Sequence, residues 1–309
     1  MVHRHLSPSF KRNLTGYAFV LPWLLSLLAF TLYPTLASFY YALTEYTMLT
    51  PPRWVGLHNF EVMFTQDPLY WKTVGNTLYY VILSVPLQLM VGLGLAMLLN
   101  QNVQGIGIFR TIYYLPALVP AVAAGLLWYV MLDPRLGLVN AGMEALGLPR
   151  LGWLRSPVWA MPSLILIAIW AGSGPAMLIF LAGLKDIPAS LLEAATIDGA
   201  NAVRRFRHVT LPLLSPTIFF NLLISIIASF QVFAIAVVMA QASTRGGDAG
   251  PLNSLLVYML LLYRNAFRYF QMGYASAMAL VLFLTLIVIA LLLARSSSLW
   301  VYYEAGGRR

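Results

Sequence analysis

Few residues in this chain have the type and spacing that chemistry requires. The four histidines, His3, His5, His58 and His208, show no metal-ligand spacing. Cysteine is absent, which excludes disulfides, thiolate sites and thiol nucleophiles. No Ser/His/Asp arrangement follows from the spacing. The three lysines, Lys11, Lys72 and Lys185, follow no glycine, so there is no GxxxxGK[ST] loop to cradle a nucleotide phosphate. We therefore expect no catalytic, cofactor-binding or metal-binding residues, and binding chemistry is what remains. It has two candidate seats. One is the polar stretch 185–212, which gathers Asp186, Glu193 and Asp198 with Lys185, Arg204, Arg205 and Arg207 in a chain only 9% charged. The other is a set of polar or small residues inside long apolar stretches: Trp170, Gly172 and Ser173, then Asn221, Ser225 and Ser229.

The elements that must position them belong to a membrane protein. Of 309 residues, 60% are hydrophobic and 13% aromatic, and the mean hydropathy is +0.78. Soluble domains carry about 25% charged residues, so this chain has too little polar surface to cover a globule in water. A bilayer-spanning helix needs about 20 apolar residues. Six stretches reach that length, near 15–42, 74–99, 110–132, 160–184, 213–240 and 273–295. The expected fold is all-α, a polytopic helix bundle, because helices packed among others tolerate the internal Pro34, Pro86, Pro116, Pro120 and Pro175. The first stretch is far longer than a signal-peptide core of 7–15 residues, so it reads as an uncleaved span.

Lysine and arginine placement favours both termini inside, N-in and C-in. Residues 1–14 and 296–309 are then cytoplasmic segments, 15–295 is the transmembrane domain, and 185–212 is a cytoplasmic loop. The net charge of +9 sits in short loops, so it sets orientation and does not indicate nucleic acid. The run Leu252 to Tyr263 is too short to span and reads as interfacial or re-entrant. Asn140 to Leu146 is expected as a short amphipathic helix stopped by Gly147 and Pro149.

In the polar loop, Pro188 suits a helix start, and Ser190 with Glu193 has capping-box spacing. Ala194 and Ala195 are small helix formers that let another surface approach. Gly199 can turn left-handed at the helix end. A second short helix from Asn201 would carry Val203, Phe206 and Val209 on one face, with Leu211-Pro212 breaking it before the fifth span. The result is a helix–turn–helix elbow that suits docking into a partner's cleft. Deeper in the spans, Ser225 and Ser229 share a face, extended by Asn221. With Trp170, Gly172 and Ser173 they could offer a polar solute hydrogen-bond partners and an aromatic face. Ser and Gly at helix interfaces more often serve as packing and hydrogen-bond glue.

Glu193-Ala194-Ala195, two residues, Asp198-Gly199-Ala200, then Phe206, Leu211-Pro212 and Pro216 resembles the EAA loop of binding-protein-dependent ABC importer permeases. Gly56-Leu57 with Asn59-Phe60, Asn76-Thr77-Leu78, Phe109-Arg110 with Tyr114-Leu115-Pro116, Ser229-Phe230-Gln231-Val232-Phe233 and Gly273-Tyr274-Ala275-Ser276-Ala277 resemble the carbohydrate-uptake branch. The chain departs from that pattern at Ala234, where many relatives are acidic, and in the spacing of Gly246-Gly247-Asp248-Ala249-Gly250-Pro251. The resemblance implies a type I importer permease fold in a bacterial or archaeal inner membrane. It implies a heterodimer with a second permease subunit, a cytoplasmic ABC ATPase dimer holding ATP and Mg, an extracytoplasmic sugar-binding protein and surrounding membrane lipid. Glu193, Ala194, Ala195, Asp198, Gly199, Ala200, Phe206 and Pro212 would form the coupling element: Gly199 for the turn, Phe206 for an apolar contact and Glu193 for a charged contact to the ATPase. In this branch the helices flanking that loop line the sugar site. An ion-coupled secondary transporter would instead need intramembrane ionisable groups and internal repeats. An enzyme acting on lipid-linked substrates would have only Asp186, Glu193 and Asp198 to work with.

Overall fold

The computed structural model describes residues 8–101, 103–243 and 249–302, with side chains from residue 16 onward. His3, His5, Gly246-Gly247-Asp248 and the tail 303–309 lie outside the described residues, as do the side chains of Lys11 and Arg12. In chain order the elements are α1 (Gly16–Ala42), a hairpin of β1 (Thr44–Thr47) and β2 (Thr50–Trp54), α2 (Pro68–Leu99), α3 (Ile106–Leu118) and α4 (Ala121–Met131). There follow α5 (Leu138–Ala145), α6 (Ala160–Lys185), α7 (Ala189–Ile197), α8 (Ala202–Phe230), α9 (Ala234–Ser243), α10 (Tyr258–Tyr263) and α11 (Met272–Trp300). Among the described residues, α1, α2, α6, α8 and α11 are long and apolar enough to cross a membrane, and α3 with α4 would be a sixth span if counted as one.

That third stretch is bent by 97°. Proline disfavours helical backbone in the residue before it. Val119 accordingly sits at φ −73°, ψ 124° ahead of Pro120, so the helix cannot pass through. The stretch 213–240 also divides. Helix α8 starts eleven residues earlier than that stretch and ends at Phe230, where Gln231 and Val232 bond back to Ala228 and Ser229 in a tightened last turn. No glycine or proline marks this break, so nothing in the local sequence announced it.

The chain divides into two units, one of the residues up to Gln66 with Leu262–Leu284, the other of Asp67–Leu261 with the chain from Thr285. In the first, Asn59 is buried and donates to the carbonyls of Ala42 and Thr44, both at 2.9 Å. It thus satisfies orphan acceptors where α1 gives way to the hairpin. The hairpin, with Thr44 paired to Trp54 and Thr47 to Thr50, had no counterpart in the sequence reading.

The second unit is built on α2 packed along α6. A Cβ on Gly92 would come within 2.8 Å of the Ala176 Cβ, so glycine is what lets the two backbones approach there. Beside α2, Asn76 donates to the carbonyls of Asn253 and Leu256, each at 3.0 Å, and Thr77 accepts from the Tyr258 amide at 2.9 Å. The middle of the short apolar run is therefore held inside protein, with Leu255, Leu256 and Val257 fully buried, while Leu252 and Tyr263 at its ends stay exposed. Only its second half, α10, is α-helical, the run opening on a 3-10 turn over Pro251–Asn253.

Residues 133–159 fold around Asn140, which is buried and uses its whole amide. It donates to Pro134 and Leu151 carbonyls and accepts from the Leu151 amide and from Trp153 Nε1 at 2.7 Å. Asp133 starts the same loop. The amides of Leu136 and Arg135 hold its carboxyl below the ordinary value near 3.8, with Arg155, 3.1 Å away, adding to the effect.

Asn140→Ala strands the Trp153 N–H, the Leu151 amide and two carbonyls. Each buried group left unsatisfied costs about 1–3 kcal/mol, so trypsin should cut at Arg150 and Arg155 far faster in this variant than in the parent. Because Asp133 titrates lower folded than unfolded, its contribution is complete above the ordinary carboxylate pKa and fades as pH falls through the folded value. Hydrogen exchange of residues 135–137 should therefore rise on acidification, after correction for intrinsic rates, and Asp133→Asn should abolish that pH dependence.

Candidate functional site

The elbow is made by local bonds, with no buried residue in α7. Its first helix starts at Ala189 after Pro188, with no side-chain cap. Ser190 lies within the helix, so the capping box suggested by Ser190 and Glu193 does not form. The C-terminus is a Schellman turn. The Ala200 amide reaches the Ala195 carbonyl at 2.9 Å, the Gly199 amide reaches Thr196 at 3.1 Å, and Gly199 stands at φ +80°. Asn201 then caps the second arm, its side-chain oxygen accepting from the Arg204 amide at 2.9 Å. Arg205 Nη1 donates to Thr196 Oγ1 at 2.8 Å and ties one arm to the other. That tie was invisible in the sequence.

Pro212 does not break the second arm. Between Phe206 and Thr210 the helix widens by one residue per turn, and the Leu211 amide bonds back to the Phe206 carbonyl. A proline inside a helix normally clashes with the carbonyl four residues before it. The wide turn displaces that carbonyl, and α8 runs on as one rod to Phe230.

The elbow presents Glu193, Ala194, Asp198 and Pro212 to the exterior, while Ala195, Ala200 and Phe206 are half-buried. Three apolar side chains stand out with them: Leu191 at 45%, Val203 at 72% and Ile197 at 87% exposure. Among the described residues, no cation pairs with Glu193 or Asp198. The tip thus combines exposed apolar side chains with carboxylates that no described cation neutralises.

The second seat is a cavity of about 550 Å³ between α2, α6, α8 and the α3–α4 bend. Gly172 lines it from α6, and Asn221, Ser225 and Ser229 line it from α8. Asn221 is 3% exposed, and its Nδ2 has no hydrogen-bond partner among the described residues. It is a buried donor left unsatisfied beside the cavity. Trp170 and Ser173 lie off this face. The wall residues Ala168, Gly172, Pro175 and Ile179 follow helical spacing, and positions 170 and 173 point elsewhere. Ser173 returns its hydroxyl to the Ile169 carbonyl at 2.6 Å, and Trp170 packs edge-on against Trp128 with ring centres 5.6 Å apart. Two polar wall residues were missed, Tyr80 and Gln88 of α2. A Cβ on Gly172 would fall 2.4 Å from the Gln88 amide, so that glycine makes room for it. Gln88 is a polar amide within an apolar stretch, and that was the available signal.

Both seats sit in a fold already seen in ABC importers. Residues 72–299 match the family of binding-protein-dependent transport system inner membrane components, and the chain belongs to that family. It is thus a multi-pass permease subunit of an ABC importer, without an ATPase site of its own. It is 44% identical to the probable ABC transporter permease protein YesP of Bacillus subtilis over 96% of this chain and 94% of that protein. It is 36% identical to SmoG, the sulfoquinovosyl glycerol transport system permease protein of Agrobacterium fabrum, over 75% of this chain and 73% of that one. A bacterial ABC transporter involved in importing the acidic polysaccharide alginate contains a chain of the same fold, with a TM-score of 0.81 and 26% identity, covering 94% of this chain and 97% of its own.

Gly199→Ala forces a Cβ into left-handed backbone at a cost of about 1–2 kcal/mol. Hydrogen exchange across 189–205 should rise in this variant, while the amount of protein in the membrane stays at the parental level.

Proposed function

We propose that this subunit carries a sugar or related polyol across the inner membrane, driven by a separate ATPase that grips the elbow. The single feature that supports this best is the continuity of α8. Its first turns belong to the elbow, and its later turns carry Asn221, Ser225 and Ser229 in the cavity wall. At 1.5 Å per residue, Val203 and Ser229 are about 39 Å apart along one rod. A displacement imposed at the elbow therefore reaches the cavity wall without an intervening joint, as alternating access requires.

In this reading the chain adopts six spans with both termini cytoplasmic. It pairs with a second permease subunit and takes solute from an extracytoplasmic binding protein. ATP and Mg act on the ATPase dimer. Ile197, Val203 and Leu191 enter an apolar cleft of that ATPase, and Glu193 meets a cation at its rim. The orphan amide of Asn221, with Ser225, Ser229, Gln88 and Tyr80, offers hydroxyl-rich solute both donors and an aromatic edge. The solutes of relatives, sulfoquinovosyl glycerol and alginate, support a glycan or glycoside as the class.

Two variants separate the seats. Glu193→Arg should leave the chain in the membrane, remove the ATPase from the complex purified through this chain, and abolish ATP-driven uptake. Retention of both the ATPase and uptake would refute the coupling role. Ser225→Leu fills the cavity and should keep the ATPase bound while uptake falls at least tenfold, about 1.4 kcal/mol in transport efficiency. Unimpaired uptake by that variant would place the solute path elsewhere.

A further inference from the structure

The C-terminal end of α11 is fastened to the exit stem of the elbow, a contact that neither the family description nor the reading above explains. Ser215, only 4% exposed, donates to the Pro212 carbonyl at 2.6 Å and accepts the Tyr302 amide at 2.8 Å. One hydroxyl thus joins a carbonyl of the elbow's exit stem to the backbone just past α11. Phe219, one turn further along α8, meets the Trp300 ring at 6.0 Å in an edge contact. Between the two attachments Val301 is buried, its amide bonded to the Ser297 carbonyl at 2.8 Å. Tyr302 also borders a cleft of about 410 Å³ whose walls include Asp186 and Pro188 on one side and Leu213 and Thr217 on the other. Residues 300–302 are thus fastened to the exit stem, and Tyr302 faces the entry stem across the cleft.

We propose that residues 300–302 form a latch that keeps the end of α11 fixed to the elbow throughout the transport cycle, with Ser215 as its positioning residue. The proposal rests on the elbow being the coupling element. A two-point attachment, one polar and one aromatic, resists both sliding and rotation of α11 on α8. Movement imposed at the elbow is then shared by both helices, and neither slips against the other. Ser215 touches neither solute nor nucleotide. It acts by removing slack, so its loss should cost efficiency of coupling and leave assembly intact.

The test uses the assembled importer, purified through this chain and reconstituted in liposomes with its binding protein. Solute moved and ATP hydrolysed are measured in the same vesicles. Ser215→Ala should raise the ATP consumed per solute several-fold with the ATPase still bound, and Ser215→Thr, which keeps the hydroxyl, should restore the parental ratio. An unchanged ratio in Ser215→Ala combined with Trp300→Ala would overturn the latch. Because the chain has no native cysteine, Phe219→Cys with Trp300→Cys can be joined by a short bis-maleimide. Transport that survives this cross-link supports a permanently closed latch, and transport that stops overturns it. Failure of the elbow reading shows separately, as ATPase and uptake retained in Glu193→Arg.

Discussion

The hydrogen bond from the Leu211 amide to the Phe206 carbonyl is the interaction on which the rest depends. Pro212 has no amide hydrogen and its ring needs space where a regular helix would place a carbonyl. A regular α-turn there would kink the chain and separate the elbow from the rest of α8. The wide turn accepts one residue of extra circumference and keeps the axis continuous. Along α8, the path between the two candidate seats runs through that turn. The elbow arms lie before it, and the cavity-facing Asn221, Ser225 and Ser229 lie after it.

Packing within the second unit follows from the lack of a hydrophobic force between helices in lipid. Close backbone approach and internal hydrogen bonding must hold such helices together. Gly92 against Ala176 supplies the approach. Most polar side chains are then satisfied on their own turn, as Ser173 is by Ile169 and Ser215 by Pro212. Asn221 departs from this rule, with a buried amide facing a cavity and no partner among the described residues. A buried donor without a partner is costly, and under the proposed function a hydroxyl-rich solute would relieve the cost.

The elbow solves an opposite problem. It must keep a precise shape with almost nothing buried, so it relies on caps instead of a core. A left-handed Gly199, an Asn201 cap and the Arg205–Thr196 tie are short-range bonds that survive exposure to water. This leaves Leu191, Ile197 and Val203 exposed on a stiff frame. A partner binding there loses little entropy in ordering it.

Much of this was legible in the residues themselves. Composition alone required a bilayer, apolar length located the long helices, and the left-handed turn followed from Gly199 because only glycine enters that region without steric cost. The Asn201 helix start and the shared face of Asn221, Ser225 and Ser229 are likewise local periodicity and capping. Tertiary structure decided what depends on distant neighbours. It made Pro212 a point of passage instead of a stop, bent the third stretch at Pro120, ended α8 at Phe230, and turned Trp170 and Ser173 away from the cavity while bringing Tyr80 and Gln88 to it. It also laid Tyr302 on Ser215, eighty-seven residues apart in the chain. The physical reason is one of range. Caps, turns and helical faces are set within a few residues, whereas kinks, cavity walls and latches are set by which surfaces the bundle presses together.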